Sequence, residues 1–425
     1  MIRSILSAAR IAAALGLGMA LGIPGALAQA EPPGASIESL LDYAREQNAE
    51  YAAMRYEAQA WRERVEPAGA LPDPRLRVEL QDITRRGERN ASLDPSKVGQ
   101  TRYLFMQDLP WFGKRALKEE AAALEANAAD ALALGNWTEI AALLKQIHIQ
   151  RYFLSHNERL TREQLDLVTR IERIAQVRYA NGLAPQQDAI RAQVEQTTMR
   201  QDLIMLEAER RSLAARLNAL LNRPAHSPLA EPRSIPALPQ VVSVEEVLQR
   251  ARMANPQLLA EASRIGAAEK NRDLAYRNRY PDVTLGVAPM QEGNSIREWE
   301  LMLEVSIPLQ QGTRRSQERE AGAMLAAARA RHEAASQKVT AELAQIVFAY
   351  QAAVQTEASV STSLLPQATL SMQSAVAGYE NGKVDFATLI DAQRAVTQAR
   401  LSELKAQAER QLRWVDIQKL TGESQ

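Results

Sequence analysis

The chain has 425 residues, with 51 basic and 51 acidic side chains and no cysteine. Without cysteine there are no disulfides, no thiolate metal sites, no thiol catalysis and no lipid on an N-terminal cysteine. A formal charge of zero gives no sign of the basic domain that nucleic-acid binding requires. The length allows two or three domains or one elongated body.

The first residues predict a cleavable export signal. Two arginines, Arg3 and Arg10, precede an apolar stretch over residues 11–23, and a small-residue A-L-A sequence follows at 26–28. The alternative is an uncleaved membrane anchor, but glycines and Pro24 crowd the end of the stretch and favour cleavage. We therefore predict a signal peptide over residues 1–28.

The rest of the chain is a tandem duplication. Both halves carry, in the same order, a Ser-Ile/Val-Glu start, a Pro-Asp pair, a Leu/Ile-Pro before Gly and basic residues, and a Tyr-x-Asn-Gly turn. The turns are Tyr179-Ala180-Asn181-Gly182 and Tyr379-Glu380-Asn381-Gly382. Internal repeats of this kind define the architecture. We predict repeats over residues 29–222 and 243–425, joined by a proline-rich linker over 223–242.

Long helices dominate both repeats. Residues 114–179 contain no proline and are rich in Ala, Leu, Glu and Gln, which predicts one helix of about 100 Å at ~1.5 Å per residue. The corresponding helix over about 313–378 contains Pro366, which predicts a kink or break. Short tips follow at 180–185 and 379–384. Apolar stripes on these helices predict side-by-side packing into a rod or tube, rather than an ordinary helical bundle.

Each repeat also carries one β-hairpin, over about 75–109 and 282–307. Alternation in the last strand places five apolar side chains on one face: Trp299, Leu301, Leu303, Val305 and Ile307. Four strands with such faces suit a membrane but cannot close a barrel, since the smallest bacterial barrels have about eight strands. Open edges are not tolerated in lipid, so several chains would have to share one barrel. The alternative is a soluble α+β protein with two surface hairpins.

The duplicated order of helix, hairpin, long helix, Tyr-x-x-Gly turn and helix resembles the TolC family of outer-membrane efflux channels. The resemblance implies a mainly α fold with a small β part. It also implies a homotrimer, in which a 12-stranded β-barrel sits in outer-membrane lipid and a long α-helical barrel crosses the periplasm. The implied partners are a periplasmic adaptor and an inner-membrane pump of the RND type.

Two segments resemble the heavy-metal efflux branch of that family, the CusC/CzcC-like group. They are Leu71-Pro72-Asp73-Pro74 and Pro110-Trp111-Phe112-Gly113-Lys114. Many members of that branch have a lipidated cysteine, which this chain lacks. Multidrug efflux and type I secretion channels share the same design and remain alternatives for the substrate.

The resemblance also implies a gate near the tips, where carboxylates and a turn tyrosine close the narrow end of the tunnel. Asp188 and Asp391 occupy matching positions, and Tyr379 matches the tyrosine. The family archetype has an aspartate where this chain has Thr388 and an arginine where it has Val384. An aspartate ring on the axis would attract cations. The residues alone allow another interpretation, in which both aspartates are solvated carboxylates at helix starts.

The tips themselves are the implied adaptor-docking surface. Tyr179 and Tyr379 begin the two turns, and we expect Gly182 and Gly382 to adopt the positive φ that a tight turn requires.

No catalytic, cofactor or metal-binding motif is present in the sequence. There is no H-E-x-x-H, G-x-S-x-G or phosphate loop, and the four histidines are scattered, with His148 and His156 expected on the surface. The sequence thus predicts a passive conduit rather than an enzyme of unknown type. A rival of another class is a periplasmic coiled-coil adaptor or scaffold, although two hairpins with lipid-like faces do not suit it.

Overall fold

The computed structural model describes residues 33–84, 91–240 and 242–423. The predicted signal peptide lies outside these residues. The first repeat contains α1 (Ile37–Gln47), α2 (Ala49–Arg62), α3 (Val65–Gly69), β1 (Arg75–Gln81), β2 (Gln100–Leu109), α4 (Lys114–Ala180) and α5 (Gln186–Leu220). The second contains α6 (Val244–Ala254), α7 (Pro256–Arg277), β3 (Asp282–Glu292), β4 (Ser295–Ser306), α8 (Gln311–Ser359), α9 (Leu365–Glu380) and α10 (Phe386–Thr421).

The two hairpins form a single antiparallel sheet in the order β1-β2-β3-β4. The first repeat meets the second where β2 pairs with β3, as in the pair Phe105 and Val287. β3 and β4 are joined by a two-residue turn that contains Gly293 at φ 60°. β1 and β4 are the two edge strands.

The duplication is visible in matching helix caps. Asn48 and Asn255 each end one helix and cap the next, accepting a hydrogen bond from the backbone of Tyr51 and Leu258, respectively. Each asparagine also donates from Nδ2 to a carbonyl at the far end of its repeat, Asn48 to Leu220 at 2.8 Å and Asn255 to Leu420 at 2.9 Å. In both repeats, therefore, an asparagine hydrogen bond joins the first helices of the repeat to its last helix.

A buried lysine fixes the corner between the helices and the sheet. Lys114, at the start of α4, donates to the carboxylate of Asp282 at 2.8 Å and to the carbonyl of Tyr280 at 3.1 Å. The backbone N–H of Trp111 donates to the same carboxylate, and its ring stacks on Tyr280 with centroids 5.4 Å apart. Residues of the Pro-Trp-Phe-Gly-Lys segment thus hold the first repeat against the second.

The long helices differ between the repeats as the sequence predicts. α4 runs for 67 residues without interruption. In the second repeat a π-helical turn over Val360–Leu364 separates α8 from α9, directly before Pro366. Proline lacks the N–H that the preceding turn needs, and a π-turn is one way in which a helix absorbs the missing bond. The side chain of Thr362 donates to the carbonyl of Ala358 at 2.7 Å within this turn.

The linker after α5 packs against α8 and α10. Gln411 of α10 donates to the carbonyl of Pro236 at 2.8 Å, and Arg410 donates to the carbonyls of Leu238 and Pro239. Tyr350 of α8 also bonds to Pro239. Side chains therefore satisfy the backbone groups of a segment that forms no regular structure.

One expectation was wrong: His148 is not a surface residue. Its side chain is completely buried on α4, between Lys145 and Arg151 on the same face. Burial, followed by the nearby charge of Arg151, lowers the pKa of the imidazole, while the Ser234 backbone and Glu38 act against this. The face of a 67-residue helix cannot be assigned from period alone once several helices surround it.

Candidate functional site

The two tips have the same backbone geometry. Gly182 and Gly382 have φ of 69° and 68°, which confirms the left-handed conformation expected from the sequence. Each turn is closed by a backbone hydrogen bond between residues five positions apart. The N–H of Leu183 donates to the carbonyl of Arg178, and that of Lys383 donates to the carbonyl of Gly378, both at 2.8 Å. This is the Schellman arrangement that ends a helix on a glycine.

The tip tyrosines occupy different environments. Tyr179 is half exposed, whereas Tyr379 is 5% exposed and packs against Phe386 with ring centroids 5.5 Å apart. The guanidinium of Arg178 lies 5.0 Å from the centre of the Tyr379 ring. The hydroxyl of Tyr379 is buried and has no hydrogen-bond partner among the described residues. Tyr379 is thus part of the contact between the two tips.

Asp188 belongs to the same group of charges. It lies in the first turn of α5, and its pKa is raised by partial burial and by Asp385, while Arg191 and Arg178 oppose the rise. The pKa of Tyr379 is likewise raised, first by burial and then by the negative charge of Asp188. The structure therefore brings Asp188 and Tyr379 together and adds Arg178, which the sequence analysis did not identify.

Asp391 lies apart from that group. It is on the exposed side of α10, with its side chain 75% exposed and its carboxylate 3.9 Å from Arg394. The carboxylate that caps α10 is instead Asp385, which accepts from the backbone N–H of Thr388 at 2.9 Å. Hydrogen bonds from the Thr388 hydroxyl and backbone lower the pKa of Asp385. Asp188 and Asp391 are therefore in two different environments.

A groove between α5 and α10 contains Asp391. Its lining consists of four pairs of residues at equivalent positions of the two repeats: Gln187 and Ala387, Ile190 and Ile390, Arg191 and Asp391, Val194 and Arg394. The duplication therefore makes this groove nearly symmetric in position. Only Ile190 and Ile390 are identical, and two of the three unlike pairs contain a charged residue.

Polar contacts between α5, α4 and α10 hold the tip hairpins together above the groove. Arg394 donates two hydrogen bonds to the buried carboxylate of Glu195, the shorter one 2.6 Å. Gln393 donates to Gln164 of α4 at 3.0 Å. The sequence analysis missed these residues because no sequence pattern shows whether an isolated Glu or Gln in a long helix contacts another helix or faces solvent.

The sheet has one exposed apolar face. Five side chains predicted to face lipid lie at its edge, with exposed fractions from 44% for Val305 to 82% for Leu301: Trp299, Leu301, Leu303, Val305 and Ile307. Strand pairing adds Leu76 and Phe105 to this face. On the opposite face Arg102 bridges Glu79 at 3.2 Å and Glu300 at 2.8 Å. One side of the sheet is thus apolar, as the alternation predicts, while the other carries these charges beside a small buried cluster of Leu104, Met106, Ala288 and Met302.

Neither a helical membrane span nor a metal site is found within the part of the chain that the structure describes. No helix there is both long and apolar enough to cross a bilayer. In the same ranges no three His, Asp or Glu side chains come together as metal ligands would.

Comparisons with known proteins agree with this architecture. Residues 247–423 match the sequence model of a family described as "Outer membrane efflux protein". The "Cobalt-zinc-cadmium resistance protein CzcC" of Cupriavidus metallidurans is 24% identical over 375 residues, which cover 87% of this chain and 85% of that protein.

Solved structures share the fold at low sequence identity. A CusC structure is 17% identical with a TM-score of 0.77 and covers 91% of both chains. The outer-membrane channel OprN is 20% identical with a TM-score of 0.75, covering 91% of this chain and 89% of its own. The VceC outer membrane protein of Vibrio cholerae is 17% identical with a TM-score of 0.75, covering 91% and 96%. The resemblance and the fold class predicted from the sequence are confirmed.

Proposed function

We propose that this chain, which resembles the outer membrane efflux proteins, is the outer-membrane channel of a tripartite efflux system. It would conduct substrates passively from a pump and adaptor in the periplasm to the exterior. The observation that carries this proposal is the pairing of a sheet that exposes a continuous apolar face with helices that end in two glycine-turn tips. A periplasmic scaffold would have no use for the apolar face.

The membrane part requires more than one chain. β1 and β4 leave unpaired backbone groups along both edges of the sheet, and lipid does not tolerate such edges. Pairing β1 of one copy with β4 of the next satisfies both edges. Three copies give the 12 strands that the family resemblance implies, so we propose a homotrimer with the apolar face toward outer-membrane lipid and Arg102, Glu79 and Glu300 toward the lumen.

The tips would meet the rest of the assembly. Tyr179, Gly182, Tyr379 and Gly382 define the two turns, and Leu183, directly after Gly182, is 67% exposed. We propose these turns as the docking surface for a periplasmic adaptor, itself joined to an inner-membrane pump of the RND type. Signal cleavage near residue 28 would deliver the chain to the outer membrane without a lipid anchor on cysteine.

The gate would be the contact between the tips. Asp188, Arg178 and Tyr379 join the first hairpin to the second in a partly buried cluster. Separating the hairpins would expose the Tyr379 ring and return the Asp188 carboxylate to water. Docking of an adaptor could supply the free energy for this step, since a ligand shifts a two-state equilibrium by its difference in affinity for the two states.

The substrate we favour is a heavy-metal cation. The support is the similarity to a protein named for cobalt, zinc and cadmium resistance, together with the two segments noted in the sequence. Selection would lie with the pump, because the described residues of the duct show no ligand cluster for a metal ion.

Single-channel recording in a planar lipid bilayer tests the proposal. The mature protein should insert and produce stable conductance steps. The control is the same preparation after heating, which should produce none. Folded, detergent-soluble protein that yields no steps would contradict the channel and favour the periplasmic scaffold.

A further inference from the structure

The groove between α5 and α10 places an arginine and an aspartate at equivalent points of the duplication. Position 191 of the first repeat corresponds to position 391 of the second, at the same distance from Gly182 and Gly382. Both side chains line the groove, and both residues are exposed. The duplication therefore puts opposite charges at the same height of the tip.

The other charge in the groove is already neutralised. Arg394 is held by the buried carboxylate of Glu195 at 2.6 Å. Arg191 forms no hydrogen bond with any described residue. The Asp391 carboxylate makes only a long contact with the same arginine, 3.9 Å from Arg394 Nη1, and its side chain is 75% exposed. Arg191 and Asp391 are then the charges of this groove without a close partner among the described residues, and they have opposite signs.

Arg191 also lies within the electrostatic reach of the tip carboxylates. Its charge lowers the pKa of Asp385 and opposes the burial that raises the pKa of Asp188. The arginine thus counters more than one acid near the narrow end. It is supplied by the first repeat, whereas the second repeat has Val384 where the family archetype has its arginine.

We propose that Arg191 sets the charge selectivity of the tip, by alternating with Asp391 around the entrance and cancelling the cation preference of an all-aspartate ring. This deepens the proposed function and depends on it. In a trimer the two repeats would give six positions at one height, three Arg191 and three Asp391. Alternating charges largely cancel a few ångströms away, so small cations and anions should pass with similar ease.

The test is the ratio of K⁺ to Cl⁻ permeability, taken from reversal potentials in a salt gradient across a planar bilayer. Arg191→Gln should raise the ratio at least about twofold, because it uncovers the aspartates. Asp391→Asn should lower it, and the double variant should return toward the wild-type value. Arg191→Lys keeps the charge and should keep the ratio.

A matched control is Arg200→Gln, the same substitution on the same helix. Nine residues at ~100° each put position 200 on the face opposite position 191. An equal change in Arg200→Gln and Arg191→Gln, or no change in Arg191→Gln, would overturn the inference while leaving the channel intact. A wild-type protein that forms no channel would instead contradict the proposed function. Circular dichroism of each variant confirms that the helices have formed.

Discussion

Glu195 of α5 and Arg394 of α10 form a salt bridge that joins the two tip hairpins, with Nη2 and Oε2 2.6 Å apart. The glutamate side chain is 10% exposed and the arginine 58% exposed. Along both helices the pair lies farther from the tip turns than Asp188 and Tyr379, two of the residues proposed as the gate. An opening of the tip, as proposed, would either break this bridge or move both helices together.

Removing the bridge should favour the open tip. Glu195→Gln or Arg394→Gln should weaken the closed contact by about 1 kcal/mol, since a charged hydrogen bond that is half exposed is screened by water. Single-channel recording should then show a higher open probability. Arg413→Gln is the control, because among the described residues Arg413 pairs only within α10, with Glu409 and Asp416. Equal effects of Arg413→Gln and Arg394→Gln would contradict a role of the bridge in closure.

The closed tip should be more stable in acid. The pKa of Asp188 lies above its ordinary value of 3.8, first because the carboxyl is partly buried and then because of Asp385. A raised pKa means that the closed tip prefers the protonated acid. Its stabilisation is complete below 3.8 and is lost as the pH rises through the folded-state value.

Lowering the pH from about 7 to about 4 should therefore reduce the open probability about twofold. Asp188→Asn mimics the protonated acid and should show the low value at every pH in this range. Asp385 has a lowered pKa and stays charged over most of this window, so it does not reverse the trend. A pH response that survives in Asp188→Asn would assign the effect to another group.

Sequence reasoning predicted the architecture well and the tip chemistry only in part. Helices, hairpins and turns depend on local sequence patterns, and the duplication shows each pattern twice. The bounds of α4 and the glycine turns follow from residues a few positions apart. The role of Arg178 depends on a contact between hairpins about 200 positions apart, at Tyr379. No local period encodes such a contact. Asp391 is exposed and Asp188 is partly buried, and this difference likewise depends on how the helices of the two repeats pack against each other.

His148 should make the rod less stable in mild acid. Burial lowers the pKa of its imidazole, with Arg151 adding to the effect. The folded state thus resists protonation that the unfolded chain accepts. Stability is present above the ordinary value of 6.5 and falls as the pH drops toward the folded-state value. The thermal unfolding midpoint, followed by circular dichroism, should be lower at about pH 5 than at about pH 7.

His148→Leu removes the imidazole and places an apolar side chain of similar size in the same space. The variant should lose part of the pH dependence between about pH 7 and about pH 5. His332→Leu is the control, because His332 on α8 is only half-buried, whereas His148 is completely buried. Identical pH profiles for wild type and His148→Leu would rule out the imidazole as the source.

The two faces of β4 should respond differently to a positive charge. Leu301 is 82% exposed on the apolar face, where an arginine would enter the hydrocarbon. Leu301→Arg should destabilise the inserted sheet by about 2–4 kcal/mol, the cost found for arginine near the middle of a bilayer. Glu304→Arg places the same side chain three residues along the strand, on the charged face, and should insert with nearly wild-type yield. Insertion is measured as the fraction that becomes resistant to protease after refolding into lipid vesicles. Equal loss of insertion in both variants would mean that the apolar face does not contact lipid. The free-energy cost of an arginine differs between the two faces only if one of them is turned toward hydrocarbon.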